Sequence, residues 1–193
     1  MSDYINIDSD DKDIIESFKN GNKSAFNYIV LKYQKKIYWL IRKFVLDHDD
    51  ADDITQEVFL KLYKSLFDFR GDSALYTYIY KMAVNYSLNH IKKHKVQLTQ
   101  MKDIDSEVYK LKSNETNSDD IFDNKINSII IKEAIMKLPE QQRAVFNLRF
   151  YEEMPYDEIA EILGTSVGGL KANYFHAFKK IQSYLNEKKN KIK

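Results

Sequence analysis

The chain has 193 residues, 44% of them hydrophobic and 31% charged, with a formal net charge of +1. That length suits one large domain or two small ones, each with its own core. The absence of cysteine excludes disulfides, thiolate metal sites and cysteine nucleophiles. No apolar run nears the ~20 residues of a membrane span. The acidic start "MSDYINIDSDDKD" carries no signal-peptide core, so a cytoplasmic protein is expected.

The near-zero net charge hides strong segregation. "DHDDADDITQE" (47–57) has six acids and no lysine or arginine, and "KMAVNYSLNHIKKHK" (81–95) has four lysines and no acid. From Lys171 to Lys193 there are seven lysines against one glutamate. Separate charged surfaces suit separate partners, and basic ones suit nucleic acid. Helical spacing recurs throughout and strand-like alternation does not. The expected fold is all-α: two small helical domains joined by a flexible linker, the second containing a helix-turn-helix.

After a tail (1–9), the first domain (10–96) reads as helices near 10–20, 24–46, 51–67 and 73–94. Ile54, Val58, Leu62 and Leu66 repeat every four residues and mark a buried face. Asp53, Gln56, Glu57, Leu60 and Lys61 lie away from that row, a mixed surface suited to docking a partner protein. The acids before this helix also suit its positive N-terminal end. In the last helix Leu75, Ile79, Met82 and Tyr86 form the expected buried row. Lys81, Asn85, Leu88, Lys92 and Lys95 form another, largely polar, with Tyr76, Tyr80, Ala83 and Ser87 between. Between these helices, "FRGDS" (Phe69, Arg70, Gly71, Asp72 and Ser73) is a loop, with Ser73 a candidate cap. An aromatic loop beside a lysine-bearing face suits single-stranded nucleic acid, where rings stack on bases and cations follow phosphates. A ring closing the loop over the core is the alternative reading of Phe69, and spacing does not decide between them.

Residues 97–122 are polar without a stable stripe and are expected to form the linker. The second domain (123–188) then gives helices near 123–138, 140–151, 156–163 and 166–186, before a basic tail (189–193). "YDEIAEILGTSVGGLKANYFHAFKKI" (156–181) is a short helix, a glycine turn and a longer helix, the helix-turn-helix pattern. Gly164 ends the first helix and Ser166 caps the second. Val167, Leu170, Tyr174, Ala177 or Phe178, Ile181 and Leu185 form the core stripe. Lys171, Ala172, Phe175, His176 and Lys179 face away, as a helix entering a major groove requires. Arg149, on the preceding helix, is placed to reach a phosphate. A helical hairpin making only protein contacts is the blander reading, and the lysine-rich end favours DNA.

His90 and His94 are spaced as metal ligands, but Lys92, Lys93 and Lys95 would repel a dication and no carboxylate is near in sequence, so no metal, cofactor or small-molecule substrate is expected. Solvated or DNA-facing histidines are expected instead. No phosphate-cradling glycine loop or nucleophile motif is present, so no enzyme is expected. A stand-alone helix-turn-helix regulator is the alternative function.

Three stretches in order, "GNKSAFNYIVLKY", "DADDITQEVFLKLYKSLFDFRGDSALYTYIYKMAVN" and "LPEQQRAVFNLRFYEEMPYDEIAEILGTSVGGLKANYFHAFKKI", resemble the extracytoplasmic-function sigma factors of bacterial RNA polymerase. The resemblance implies a non-catalytic promoter-specificity subunit made of the second and fourth sigma domains. "DDITQEVF" would dock on the clamp of the largest polymerase subunit through Asp53, Gln56, Glu57, Leu60 and Lys61. Phe69–Ser73 would hold a base flipped from the −10 element, with Asn85 helping to part the strands beside Lys81 and Lys92. The second helix of the helix-turn-helix would read the −35 element, and its domain would touch the polymerase flap. Many members of that family are held by an anti-sigma factor, and the resemblance allows for one here. The family usually has tryptophan where Tyr78 stands, serine where Ala172 stands, and arginines near Asn173, His176 and Phe178.

Overall fold

The computed structural model describes residues 5–45, 47–100 and 130–192, with the side chains of 94–100, 189, 191 and 192 excepted. Among them every regular element is helical. Contacts divide the chain into two compact units, one built on residues up to Ile91 and the other on most of those from Lys92 onward.

In the first unit, α1 (Asp11–Lys19) starts where the Asp10 carboxylate accepts from the Lys12 amide. Its Phe18 is fully buried. That ring meets Phe26 at 5.9 Å, Tyr63 at 5.3 Å and Phe67 at 4.7 Å between centroids. Burying a ring of this size contributes about 1.5–3 kcal/mol, so Phe18 joins three elements around one apolar centre. Asp11 ties α1 to the next helix: it accepts from Lys32 Nζ at 2.7 Å and from the Tyr33 hydroxyl. Burial, together with that carboxylate, raises the Tyr33 pKa well above the usual phenol range. A 3-10 turn (Lys23–Ala25) leads into α2 (Phe26–Arg42).

The acidic helix α3 (His48–Ser65) begins earlier than the expected residue 51, because Asp47 caps it. The Asp47 carboxylate accepts from the amides of Asp49 and Asp50 at 2.8 and 3.2 Å. Ile54, Val58, Leu62 and Leu66 are buried, as their spacing predicts. A 3-10 turn (Leu66–Asp68) and a loop precede α4 (Leu75–Gln100). Here the expected row is too narrow. Leu75, Ile79, Tyr80, Ala83, Val84, Ser87 and Leu88 are buried, whereas Met82 and Tyr86 are only half-buried. A helix enclosed by a bundle buries a broad band rather than one row, and this band includes Leu88, expected on the polar side. Buried Ser87 is satisfied by donating to the Ala83 carbonyl at 2.8 Å. Because α4 runs to Gln100, residues 97–100 of the expected linker are helical. The rest of that linker, and residues 123–129 of the helix expected after it, lie outside the described residues.

The second unit opens with α5 (130–136) and α6 (Glu140–Phe146). Arg143 on α6 is buried, 4% exposed, and its guanidinium donates to the carbonyls of Met136 and Leu138. It thereby closes the C-terminal end of α5, whose last carbonyls have no helical partner. Desolvation lowers the Arg143 pKa from its ordinary value. A π turn (Asn147–Tyr151) follows, ending with Glu153 in the left-handed region at φ 53°. Next come α7 (Tyr156–Leu163) and α8 (Val167–Ile192). Gly164 between them has φ 63°, the left-handed turn expected of it. Ser166 caps α8: its Oγ accepts from the Gly169 amide at 3.3 Å. Helix α8 runs past the expected residue 186 and takes in most of the expected basic tail. Lysine and glutamate at 187–189 sustain a helix and no glycine or proline stops it. Ala134, Ile135, Leu138, Phe146, Ala177 and Ile181 form the core.

Candidate nucleic-acid and docking interfaces

On α3 the buried row sets the opposite face. Asp53, Gln56, Glu57, Leu60 and Lys61 are all exposed, at spacings that bring them onto one side of the helix. Leu60 is 63% exposed, an apolar side chain among charges, as a protein-docking surface requires. The neighbouring acids have other work. Asp47 caps the helix, Asp52 lies 3.5 Å from His48, and Asp50 lies 3.1 Å from His90 Nε2. His90 therefore packs against a carboxylate of α3, and the expectation of a solvated or DNA-facing histidine is corrected. The side chain of His94 lies outside the described residues.

The loop after the second 3-10 turn is built from both sides. Gly71 takes φ 80°, which a residue with a β-carbon adopts only under strain. Arg70, Gly71 and Asp72 are exposed at the tip, and Ser73 is half-buried. The Tyr78 amide donates to the Ala74 carbonyl, so Ala74 holds the N-cap position of α4 and the expected Ser73 cap falls one residue short. Phe69 is half-buried, its ring 5.0 Å from that of Tyr78. The ring thus packs on Tyr78 and is not sealed in the core. From Tyr78, exposed Lys81, Asn85 and Lys92 follow at i+3, i+7 and i+14, a stripe along one side of α4. Cations, an amide and a ring thus line one track.

On α8, Lys171, Ala172, Phe175, His176 and Lys179 are all exposed, while Leu170, Ala177 and Ile181 are buried behind them. Phe175 is 54% exposed. Lys179 Nζ sits 4.6 Å from its ring centroid and the His176 ring 5.8 Å away. Arg149 is partly committed: its Nη1 donates to the carbonyls of Glu153 and Met154 at 3.3 and 3.0 Å. Its guanidinium lies 5.2 Å from the Tyr156 ring, and Lys171 Nζ lies 5.8 Å from the same ring. Tyr156 gathers two cations distant in sequence, a role no spacing rule reveals.

The pair left open in the core stripe resolves to Ala177, which is buried, while Phe178 is 51% exposed. Phe178, Ile181 and Leu185 of α8 form one wall of an apolar groove of about 410 Å³, facing Ile131, Phe150 and Tyr151. Sequence reasoning missed this groove. Its signal was the adjacent aromatic pair Phe150–Tyr151, too many large rings for so small a core. Among the described residues no cluster of metal-ligating side chains occurs, and no helix is long and apolar enough to cross a membrane.

Residues 29–96 match the model of sigma-70 region 2, and residues 128–181 that of sigma-70 region 4. The RNA polymerase sigma-H factor of Pseudomonas aeruginosa is 34% identical over 181 residues, covering 91% of this chain and 93% of that protein. The sigma-E factor of Escherichia coli K12 is 31% identical, covering 86% and 90%. Among solved structures, CnrH in complex with the cytosolic domain of CnrY shares the fold, with a TM-score of 0.64 at 20% identity over 92% of this chain and 97% of that one. RpoE of Bartonella quintana, in complex with the anti-sigma factor NepR, does so with a TM-score of 0.63 at 20% identity, covering 84% and 98%. With both sigma regions matched in order and relatives of this identity aligned nearly end to end, the chain belongs to the extracytoplasmic-function family of RNA polymerase sigma factors.

Proposed function

We propose that the chain performs its sigma-factor role through three surfaces. The α3 face of Asp53, Gln56, Glu57, Leu60 and Lys61 docks on the clamp of the largest polymerase subunit. The loop Phe69–Ser73, with Lys81, Asn85 and Lys92, captures an unpaired base of the −10 element. The α8 face of Lys171, Ala172, Phe175, His176 and Lys179, started by Ser166 and flanked by Arg149, reads the −35 element in the major groove. The apolar groove under Phe178 has the chemistry for the flap contact.

One observation carries this reading: a half-buried Phe69 ring, left unsealed by the core, at the head of the lysine and asparagine stripe on α4. Stacking of a base on a ring is worth about 1–3 kcal/mol, comparable with what unstacking it from the duplex requires. In this role the bond-making chemistry belongs to the polymerase. It works in the cytoplasm beside the polymerase, which holds both DNA-binding units and raises the effective concentration of each. An anti-sigma factor, the kind of partner seen with the Bartonella quintana protein, would act by covering these faces.

Run-off transcription with core polymerase on genomic fragments tests the whole. Defined start sites that vanish without the chain are expected, and their absence rejects the reading. Phe69→Ala should leave polymerase binding intact and abolish permanganate reactivity of the −10 thymines.

A further inference from the structure

Phe69 is held at both of its backbone groups. Its amide donates to the Leu66 carbonyl at 3.3 Å, within the 3-10 turn. Its carbonyl accepts from Lys19 Nζ at 2.6 Å, across 50 residues of sequence. Lys19 closes α1, and the residue before it, Phe18, is fully buried and rests 4.7 Å from the Phe67 ring. The lysine therefore reaches the loop from a helix that cannot easily shift. Amide and carbonyl bonds restrain the Phe69 backbone, and the Tyr78 contact supports its ring. Fixing a binding group in its bound conformation removes ordering entropy from the binding step.

We infer that Lys19 is a positioning residue for strand capture, acting through the Phe69 carbonyl to hold the ring toward the −10 strand. This rests on the assignment of the Phe69 loop to that strand. Lys19 is exposed, and the apolar packing of α1 does not depend on its side chain. A substitution there loosens the loop and leaves the fold.

The test is a double-mutant cycle in the reconstituted holoenzyme, on a promoter fragment where the wild-type chain initiates. Lys19→Ala should slow open-complex formation about fivefold, the size of one ordinary solvent-exposed hydrogen bond. Lys19→Arg should restore most of that loss, and neither variant should change co-purification with core polymerase. In a Phe69→Ala background, Lys19→Ala should have almost no further effect, because the two act through one group. If Lys19→Ala has no effect, or adds in full to Phe69→Ala, the positioning role is overturned while the loop assignment stands. If Phe69→Ala itself leaves strand opening unchanged, both fall.

Discussion

The two surfaces proposed to meet DNA differ in what stands behind them. On α8 the outward residues Lys171, Phe175, His176 and Lys179 ride on a helix whose other side, Leu170, Ala177 and Ile181, is core. The fold holds the helix, and the outer face contributes little to the fold. In the first unit the loop is part of the packing: Phe69 leans on Tyr78, its carbonyl is held by α1, and Phe67 touches buried Phe18. A binding face on the outside of a helix separates stability from binding, and a binding loop braced in this way would couple them.

The coupling is strained hardest at Phe18. Phe18→Ala should remove about 3–5 kcal/mol of stability, read from the fluorescence of Trp39, the sole tryptophan. It should also mobilise the loop, seen as faster amide exchange at 67–73. The counterpart in the second unit is Arg143→Met, which leaves the Met136 and Leu138 carbonyls without their donor. A loss of about 2–3 kcal/mol is expected, with faster exchange over 130–146 and no change at 67–73. The contrast itself is tested by a pair of truncations. Phe175→Ala should alter stability by less than about 0.5 kcal/mol while weakening −35 binding, whereas Phe69→Ala should lower stability by about 1 kcal/mol and impair strand opening. Equal stability losses would break the comparison. Glu153→Gly should stabilise the second unit by about 1 kcal/mol, because glycine accepts φ 53° without a β-carbon clash.

The smallest effect is on pH. The Tyr184 hydroxyl donates to Glu133 at 2.8 Å, and Lys188 Nζ lies 3.3 Å from the same carboxylate, so the Glu133 pKa is lowered. A lowered carboxyl pKa gives stability that is present above the ordinary glutamate range and lost as pH falls through the shifted value. The group is solvent-screened, so Tyr184→Phe should reduce this acid-side dependence by only about 0.3 kcal/mol.

Periodicity made the helices legible, and with them the exposed faces of α3 and α8, because one apolar row fixes which residues point away. The loop was legible only as a loop. Whether Phe69 turned in or out depended on Tyr78 and on Lys19, and neither partner leaves a mark in local spacing. Helix ends were misplaced where a side chain decided them. Asp47 started α3 before residue 51, and Ala74 displaced Ser73 at α4. The width of the buried band on α4, which took in Leu88, is a property of its neighbours rather than of its own sequence. Arg143 shows the same limit: a charged residue in a polar run, LPEQQR, gives no sign that it will be buried to close another helix.

The ring of Tyr156 has one more effect. By attracting both Arg149 and Lys171, it leaves two long cationic side chains with fewer rotamers to surrender on binding any ligand at that face. If that face meets the promoter as proposed, a chain with little basic excess overall would lose less entropy for each charge it commits.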